Sequence, residues 1–221
     1  MKKSLLRMLL CFAVLTLTCG TLLAADASRA PMGAVTVRST VIHPMVDSDA
    51  AYKKIYSNLG TKTDAYDDAN GWLVMGPTNT LYGYSQDIAM PFTPKKNATV
   101  FQIKIALQYY GYGANAATVA LYKDAAGLPG KVAAHKDIKN LPTFGTCCTL
   151  ASAKFAKGVK VKKGKQYWVV GTTGSKSTDS VNVWDYLWND ATGDFAFQQQ
   201  SGGWVAYNAQ LCAFAVYGTI P

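Results

Sequence analysis

From Ile55 to the C-terminus, short segments rich in apolar and β-branched residues alternate with turns rich in Gly, Pro, Asn and Asp. The stretch ATVFQIKIALQYY (98–110) has the two-residue period of a half-buried strand, with Phe101, Ile103 and Ile105 on one face. About ten such segments occur, and none of the chain has a convincing amphipathic helical pattern. The pattern predicts an all-β domain from residue 55 to the end. We expect a two-sheet antiparallel β-sandwich of jelly-roll type.

Glutamate is absent from the sequence. Helix-rich proteins use Glu heavily, so its absence fits a β protein. It also restricts the chemistry, because aspartate must fill every role that needs a carboxylate.

The N-terminus has the features of a secretory signal peptide over residues 1–27. Three basic residues among the first seven precede an apolar run (9–17), and an Ala-Asp-Ala pattern (25–27) follows it. The uninterrupted apolar run is shorter than the ~20 residues that a membrane span needs. We therefore expect a secreted or periplasmic protein with no membrane span after cleavage. Residues 28–54 have little periodicity, and we expect a partly disordered N-terminal arm.

The charge of the mature chain indicates which partners it favours. Without residues 1–27, 19 basic and 12 acidic residues remain, which gives a net charge of +7. The only arginines in this part are Arg29 and Arg38, near its start. Because arginine is the usual residue for bidentate recognition of bases and phosphates, we expect no specific nucleic-acid binding. A positive net charge favours anionic surfaces.

Seven segments together resemble a known exported domain. They are IYSNLG (55–60), IAMPFTP (88–94), VALYKDAAGLPG (119–130), LPTFGTCCTL (141–150), KKGKQYWVVGTT (162–173), FAFQQQSGGW (195–204) and AFAVYGT (213–219). The chain resembles the choice-of-anchor R domain family of exported bacterial proteins over roughly 55–219, and LPTFGTCCTL is the most specific segment. The resemblance implies an exported β-rich domain of undetermined biochemical role, without catalytic residues. Members typically end in a C-terminal sorting or anchoring segment; none is present here, so we expect free secretion or retention by other means.

Three cysteines remain after signal cleavage: Cys147, Cys148 and Cys212. Export favours oxidation, and an odd number allows at most one disulfide within the chain. A bond between the adjacent pair and a bond from either of them to Cys212 both remain open from the residues alone. The resemblance implies the Cys147–Cys148 pairing, because the two adjacent cysteines belong to the shared motif.

Aromatic residues near the C-terminus suggest a ligand site. Trp184, Tyr186 and Trp188 alternate along the chain, so in a strand their rings share one face. Flat aromatic rings bordered by polar groups suit a sugar, and Gln198 and Trp204 are candidates for the border. The competing interpretation is that these rings fill the core, where Trp and Tyr bury large areas.

A loop-like segment, TDAYDDANG (63–71), offers oxygen ligands for calcium from Asp64, Asp67 and Asp68. Its spacing differs from that of an EF-hand loop, and any tight loop is rich in the same residue types. Calcium is therefore the one cofactor that the sequence suggests, and no other metal is expected.

No catalytic site is expected. The sequence lacks a GxSxG nucleophile motif, and nothing brings His43 or His135 beside a nucleophile and a carboxylate. Asp185, Asp190 and Asp194 are interpreted as turn formers rather than as a glycosidase pair.

Lysines recur between residues 154 and 165 and are interpreted as the solvent face of a half-buried edge strand. The alternative is a patch that binds an anionic polysaccharide or the cell envelope. The residues are Lys154, Lys157, Lys160, Lys162, Lys163 and Lys165.

The sequence therefore predicts a secreted, non-catalytic binding or interaction domain at or beyond the cell surface, with a glycan or a cell-envelope polymer as its ligand. The alternative is a structural subunit of an extracellular assembly, in which the arm docks onto a neighbouring copy by strand addition.

Overall fold

A computed structural model describes residues 29–35, 52–61 and 63–221 of the chain. The predicted signal peptide (1–27), Arg38, His43 and most of the predicted arm lie outside the described residues. Within the described residues no helix has the length and apolar character that a membrane crossing requires.

The described residues form fourteen β-strands. They are β1 (Gly33–Val35), β2 (Lys53–Ser57), β3 (Asp67–Met75), β4 (Gln86–Phe92), β5 (Ala98–Ile105), β6 (Leu107–Tyr112), β7 (Ala116–Ala125), β8 (Leu128–Lys139), β9 (Ala151–Val161), β10 (Tyr167–Thr172), β11 (Val181–Tyr186), β12 (Thr192–Gln199), β13 (Val205–Gln210) and β14 (Phe214–Thr219).

The strands build two antiparallel sheets. The smaller sheet has the order β2-β14-β5-β9, and the larger has the order β6-β11-β3-β4-β10-β7-β8. Strand β1 also pairs with β3, and the β12–β13 hairpin is added to β4. The prediction of an all-β, two-sheet antiparallel sandwich is confirmed.

The strand pairing is nested: strands near the start of the chain pair with strands near its end, and strands in the middle pair with each other. Strand β2 pairs with β14, β4 with β10, β5 with β9, and β7 with β8. These eight strands give two four-stranded sets, β2-β14-β5-β9 and β4-β10-β7-β8, which is the arrangement of a jelly roll. The remaining strands extend the larger sheet.

The core lies between the two sheets and follows from alternation along each strand. Ile88, Met90 and Phe92 of β4 face Phe214 and Val216 of β14, and all five side chains are buried in one apolar cluster. Alternate residues of β4 point to the outer face of the larger sheet. That outer face carries the candidate site.

Strands β3 and β4 pair only through Met75 and Gln86 and diverge beyond this pair. The side-chain amide of Gln86 is fully buried at the point where they diverge. Its Nε2 donates to Leu73 O at 2.8 Å and to Met32 O at 3.0 Å. Its Oε1 accepts from Met32 N at 2.8 Å and from Gln199 Nε2 at 2.9 Å.

The predicted boundary of the sandwich at residue 55 needs correction. Gly33–Val35 forms β1 on β3, and β2 begins at Lys53, so both described ends of the predicted arm are strands of the chain's own sheets. The alternation of a three-residue strand is too short to be recognised in the sequence, which explains the difference.

Candidate functional site

The outer face of the larger sheet carries a second apolar cluster. Its buried members are small residues and one tryptophan: Ala89, Ala120, Trp168, Val170 and Ala196. They alternate with core residues along β4, β7, β10 and β12 and therefore lie outside the sandwich. The partly buried side chains of Tyr122, Leu128 and Trp204 pack against them. The result is a sheet face of small side chains bordered by aromatic rings.

An open cleft of about 540 Å³ lies at one end of this face. It forms where the loop after β3, the start of β4, the end of β10 and the β12–β13 turn meet. Hydroxyl, amide and carboxylate groups line it beside one aromatic ring; they belong to Tyr84, Ser85, Asp87, Thr172, Thr173 and Gln200. We call it the Asp87 cleft.

Asp87 is the ionisable group of this cleft. Burial raises the pKa of its carboxyl to about 6, and a hydrogen bond with the Thr172 side chain opposes the rise. Burial raises the pKa of Tyr122, and the charge of the Asp87 carboxylate adds to the rise. At neutral pH the cleft therefore holds an ionised, partly desolvated carboxylate that is a strong hydrogen-bond acceptor.

Two of the five predicted ligand residues lie on this face. Gln198 of β12 stands opposite Asp87 in the ladder with β4, and its Nε2 donates to Gly202 O at 2.6 Å, which braces the hairpin turn. Trp204 packs edge-to-face against Tyr122, with ring centroids 6.2 Å apart. The structure thus brings Gln198 and Trp204 to the same face as Asp87.

Tyr84 separates the Asp87 cleft from a second opening of about 320 Å³. This opening is lined by Arg29, Ala30, Gln199 and Gln200 in addition to Tyr84. The Tyr84 hydroxyl contacts Met32 Sδ at 3.2 Å, so the described start of the chain fixes the ring. The two openings share Tyr84 and Gln200 and form one polar surface around an aromatic ring.

The other three predicted ligand residues do not form one surface. Trp184 is fully buried in the core, where its ring meets Phe214 at 6.0 Å. Tyr186 is partly buried and packs edge-on against Trp72 at 5.2 Å. Trp188 is exposed, but β11 ends at Tyr186, so Trp188 is not in the strand. The prediction of a shared ligand face over 184–188 is wrong, because that face of β11 packs into the sandwich.

A tyrosine cluster that is not among the sequence predictions covers the outer face of β3, β6 and β11. Tyr82 and Tyr110 lie 6.5 Å apart, and Phe144 lies 5.7 Å from Tyr110. They cover Leu73 and Val183 together with Tyr84 and Tyr112. The segments LYGYS (81–85) and QYYGYG (108–113), each with several tyrosines, are the signal that points to this surface.

The predicted calcium loop is not formed. Asp67 and Asp68 lie in β3 rather than in a loop, and Asp64 precedes the strand. Both carboxylate oxygens of Asp67 already accept hydrogen bonds, from Ala69 N and from Asn70 Nδ2. Across the described ranges, no three His, Cys, Asp or Glu side chains are grouped to hold a metal ion. Calcium binding by Asp64, Asp67 and Asp68 stays a prediction.

Cys147 and Cys148 are joined as a disulfide across a cis peptide bond, and Cys212 is a free, buried cysteine. The Cα atoms of the pair are 3.1 Å apart, which lies outside the range of an ordinary disulfide. Both residues are buried against Ala65 and Tyr66. The disulfide therefore lies in the protein interior and not at the surface.

The three C-terminal aspartates lie in different environments. Asp185 is fully buried in β11, whereas Asp190 is an exposed turn residue with φ of 52°. Asp194 is exposed in β12, where it accepts a hydrogen bond from Asn208 Nδ2 at 2.6 Å. The turn interpretation holds for Asp190 and is wrong for Asp185 and Asp194. His135, the one histidine among the described residues, is exposed on β8.

Comparison of the chain with protein-family models, curated proteins and solved structures finds no match.

Proposed function

We propose that this protein is a secreted, non-catalytic domain that binds a glycan at or beyond the cell surface. The observation that carries the proposal is the Asp87 cleft, where a carboxylate, hydroxyls and an amide converge beside the ring of Tyr84. Secretion and the resemblance to the choice-of-anchor R family remain predictions and form part of this proposal.

The composition of the cleft suits a neutral sugar. Sugar hydroxyl groups pair with carboxylate and amide groups, and the apolar faces of sugar rings pack on aromatic side chains. Asp87 and Gln200 supply the polar groups, while Tyr84 supplies a ring within the cleft. Tyr122 and Trp204 continue the aromatic border along the same face of the sheet.

A glycan array followed by titration calorimetry on the best neutral oligosaccharide tests the proposal. We expect Asp87→Ala and Gln200→Ala each to weaken binding about tenfold or more, since each removes a hydrogen bond to the ligand. Trp188→Ala is the matched control, because Trp188 is an exposed aromatic residue that packs against Gly60 and does not line the cleft. Wild-type protein that binds no glycan on the array, or an Asp87→Ala variant with unchanged affinity, overturns the proposal.

The alternative function, a subunit of an extracellular assembly, stays a prediction. The described part of the arm is a strand in its own sheet, held by the hydrogen bonds between Met32 and Gln86. An assembly by strand addition would require the edge of β3 that pairs with β1 to accept the arm of a second copy instead. Light scattering during size exclusion tests it: concentration-dependent growth that is lost on deletion of residues 28–54 supports assembly, and a constant monomer mass excludes it.

A further inference from the structure

A seam runs along the side of the sandwich where β8 and β9 lie side by side. Strand β8 is the edge of the larger sheet, and β9 is the edge of the smaller sheet. Two open clefts of about 630 and 410 Å³ follow this seam, and both are lined by Lys136. The seam is therefore one continuous surface between the sheet edges.

Positive charge dominates the seam. Lys136 and Lys139 of β8 and Lys154 and Lys157 of β9 line the two clefts. Asp137 is the one acidic residue among the lining residues, and its carboxylate already accepts a hydrogen bond from Thr118 Oγ1 at 2.6 Å. A ligand in the seam therefore meets lysines from both sheets.

Hydroxyl groups supply the remaining polar surface of the larger cleft. They come from the loop between β8 and β9 and from the start of β9, together with one amide: Asn140, Thr143, Thr146, Thr149 and Ser152. No Tyr or Trp side chain lines either cleft. The larger cleft combines cations with hydroxyl hydrogen-bonding groups and has no aromatic ring on which a nucleobase could stack, whereas His135 and the buried Phe155 line the smaller cleft.

The loop between β8 and β9, which lines the larger cleft, is anchored by hydrogen bonds to Gln108 and Tyr66. Gln108 accepts a hydrogen bond from Gly145 N at 3.0 Å and donates through Nε2 to Thr146 O. The hydroxyl of Tyr66 lies 3.1 Å from Thr149 O. The buried Cys147–Cys148 pair lies between these anchor points, so the hydroxyls of Thr146 and Thr149 are presented by a loop that is fixed on both sides of the disulfide.

We propose that the β8–β9 seam binds an anionic polysaccharide. Lys136 lines both clefts, Lys139 lines the larger one, and Lys154 and Lys157 line the smaller one, so negative groups along a sugar chain that follows the seam can meet cations in both clefts. The threonine and serine hydroxyls bond the sugar hydroxyls between the charges. Lysine provides diffuse charge attraction rather than bidentate base reading, which favours a polyanion of sugars over a specific nucleic acid.

This site is separate from the Asp87 cleft. The two surfaces share no lining residue, and β7 and β10 lie between β4 and β8 in the larger sheet. The inference therefore goes beyond the proposed binding of a neutral glycan and does not rest on it.

The test measures binding of the full mature chain to polygalacturonate and to dextran sulfate, with neutral dextran for comparison. We expect Lys136→Ala combined with Lys139→Ala to weaken polyanion binding about tenfold. Lys163→Ala combined with Lys165→Ala is the control, because it removes the same charge from the exposed turn at the other end of β9. The control variant should change the affinity less than about threefold, and added salt should weaken binding by the wild type.

Equal losses in the two double variants would show attraction by net charge alone and would overturn the site. Binding of neither polyanion overturns it as well. If a DNA duplex competes as strongly as the polysaccharides, the proposal that the ligand is an anionic polysaccharide is overturned. Asp87→Ala separates the two proposals, because that variant should keep full polyanion binding while losing the neutral glycan.

Discussion

The indole nitrogen of Trp184 donates a hydrogen bond to the carbonyl oxygen of Ala213 at 3.0 Å. Trp184 belongs to β11 of the larger sheet, and Ala213 immediately precedes β14 of the smaller sheet. The bond therefore ties the two sheets together within the core. It also explains why this tryptophan, which in sequence suggests a ligand platform, is fully buried.

Replacing Trp184 should destabilise the fold without acting on a ligand site. Trp184→Ala leaves a cavity in the core, and we expect a loss of about 3–5 kcal/mol in the free energy of unfolding. Trp184→Phe keeps most of the ring but removes the hydrogen bond, so its cost should be smaller, about 1–3 kcal/mol. Urea denaturation of each variant gives these values. Trp188→Ala, at an exposed site, should cost less than about 1 kcal/mol, and a larger loss there would contradict this assignment.

Because of Asp185, the free energy of unfolding should fall as pH rises. This residue is fully buried, its two carboxylate oxygens have no hydrogen-bond partner, and burial, reinforced by Asp68 and Asp67, raises its pKa well above the ordinary value. The folded state thus holds a proton that the unfolded chain releases near pH 4. Its contribution is complete below that pH and is lost as pH rises through the folded-state pKa.

Asp185→Asn should remove this dependence. The amide is neutral at every pH, so the variant should equal or exceed the wild type in unfolding free energy at neutral pH and lose that advantage below about pH 4. Urea denaturation at a series of pH values measures it. Parallel pH profiles for the two proteins would show that Asp185 is not the group responsible.

Alternation and turn chemistry in the sequence were sufficient to predict the sandwich. The segment QQQSGGWVAY, with two adjacent glycines between its strand-like ends, joins β12 and β13 as a hairpin. Alternation assigns side chains to two faces but does not say which face is buried, and Trp184, a predicted ligand residue, lies in the core. The Asp87 cleft joins four separate segments, and no local pattern carries such long-range proximity.

Gly76 should tolerate no side chain. A Cβ there would lie 2.1 Å from the backbone oxygen of Thr178, while Gly76 N already donates to Ser180 O at 2.9 Å. Because the obstacle is backbone, we expect Gly76→Ala to lower the free energy of unfolding by about 2–3 kcal/mol or more. Gly203→Ala is the control, since a Cβ there meets no heavy atom within 4 Å. Thermal unfolding of both variants compares them, and equal melting temperatures would refute the close approach.

Binding of a neutral glycan in the Asp87 cleft should depend on pH. The pKa of the Asp87 carboxyl is about 6 in the free protein, so the acceptor charge is present above that pH and is lost below it. We expect affinity to rise between about pH 5 and 7 and then level off, because ligand hydroxyls donate more strongly to an ionised carboxylate. Titration calorimetry across this range measures the change. Asp87→Asn keeps the shape of the side chain and should give a flat, weaker profile; a variant that retains the wild-type rise would assign the pH dependence to another group.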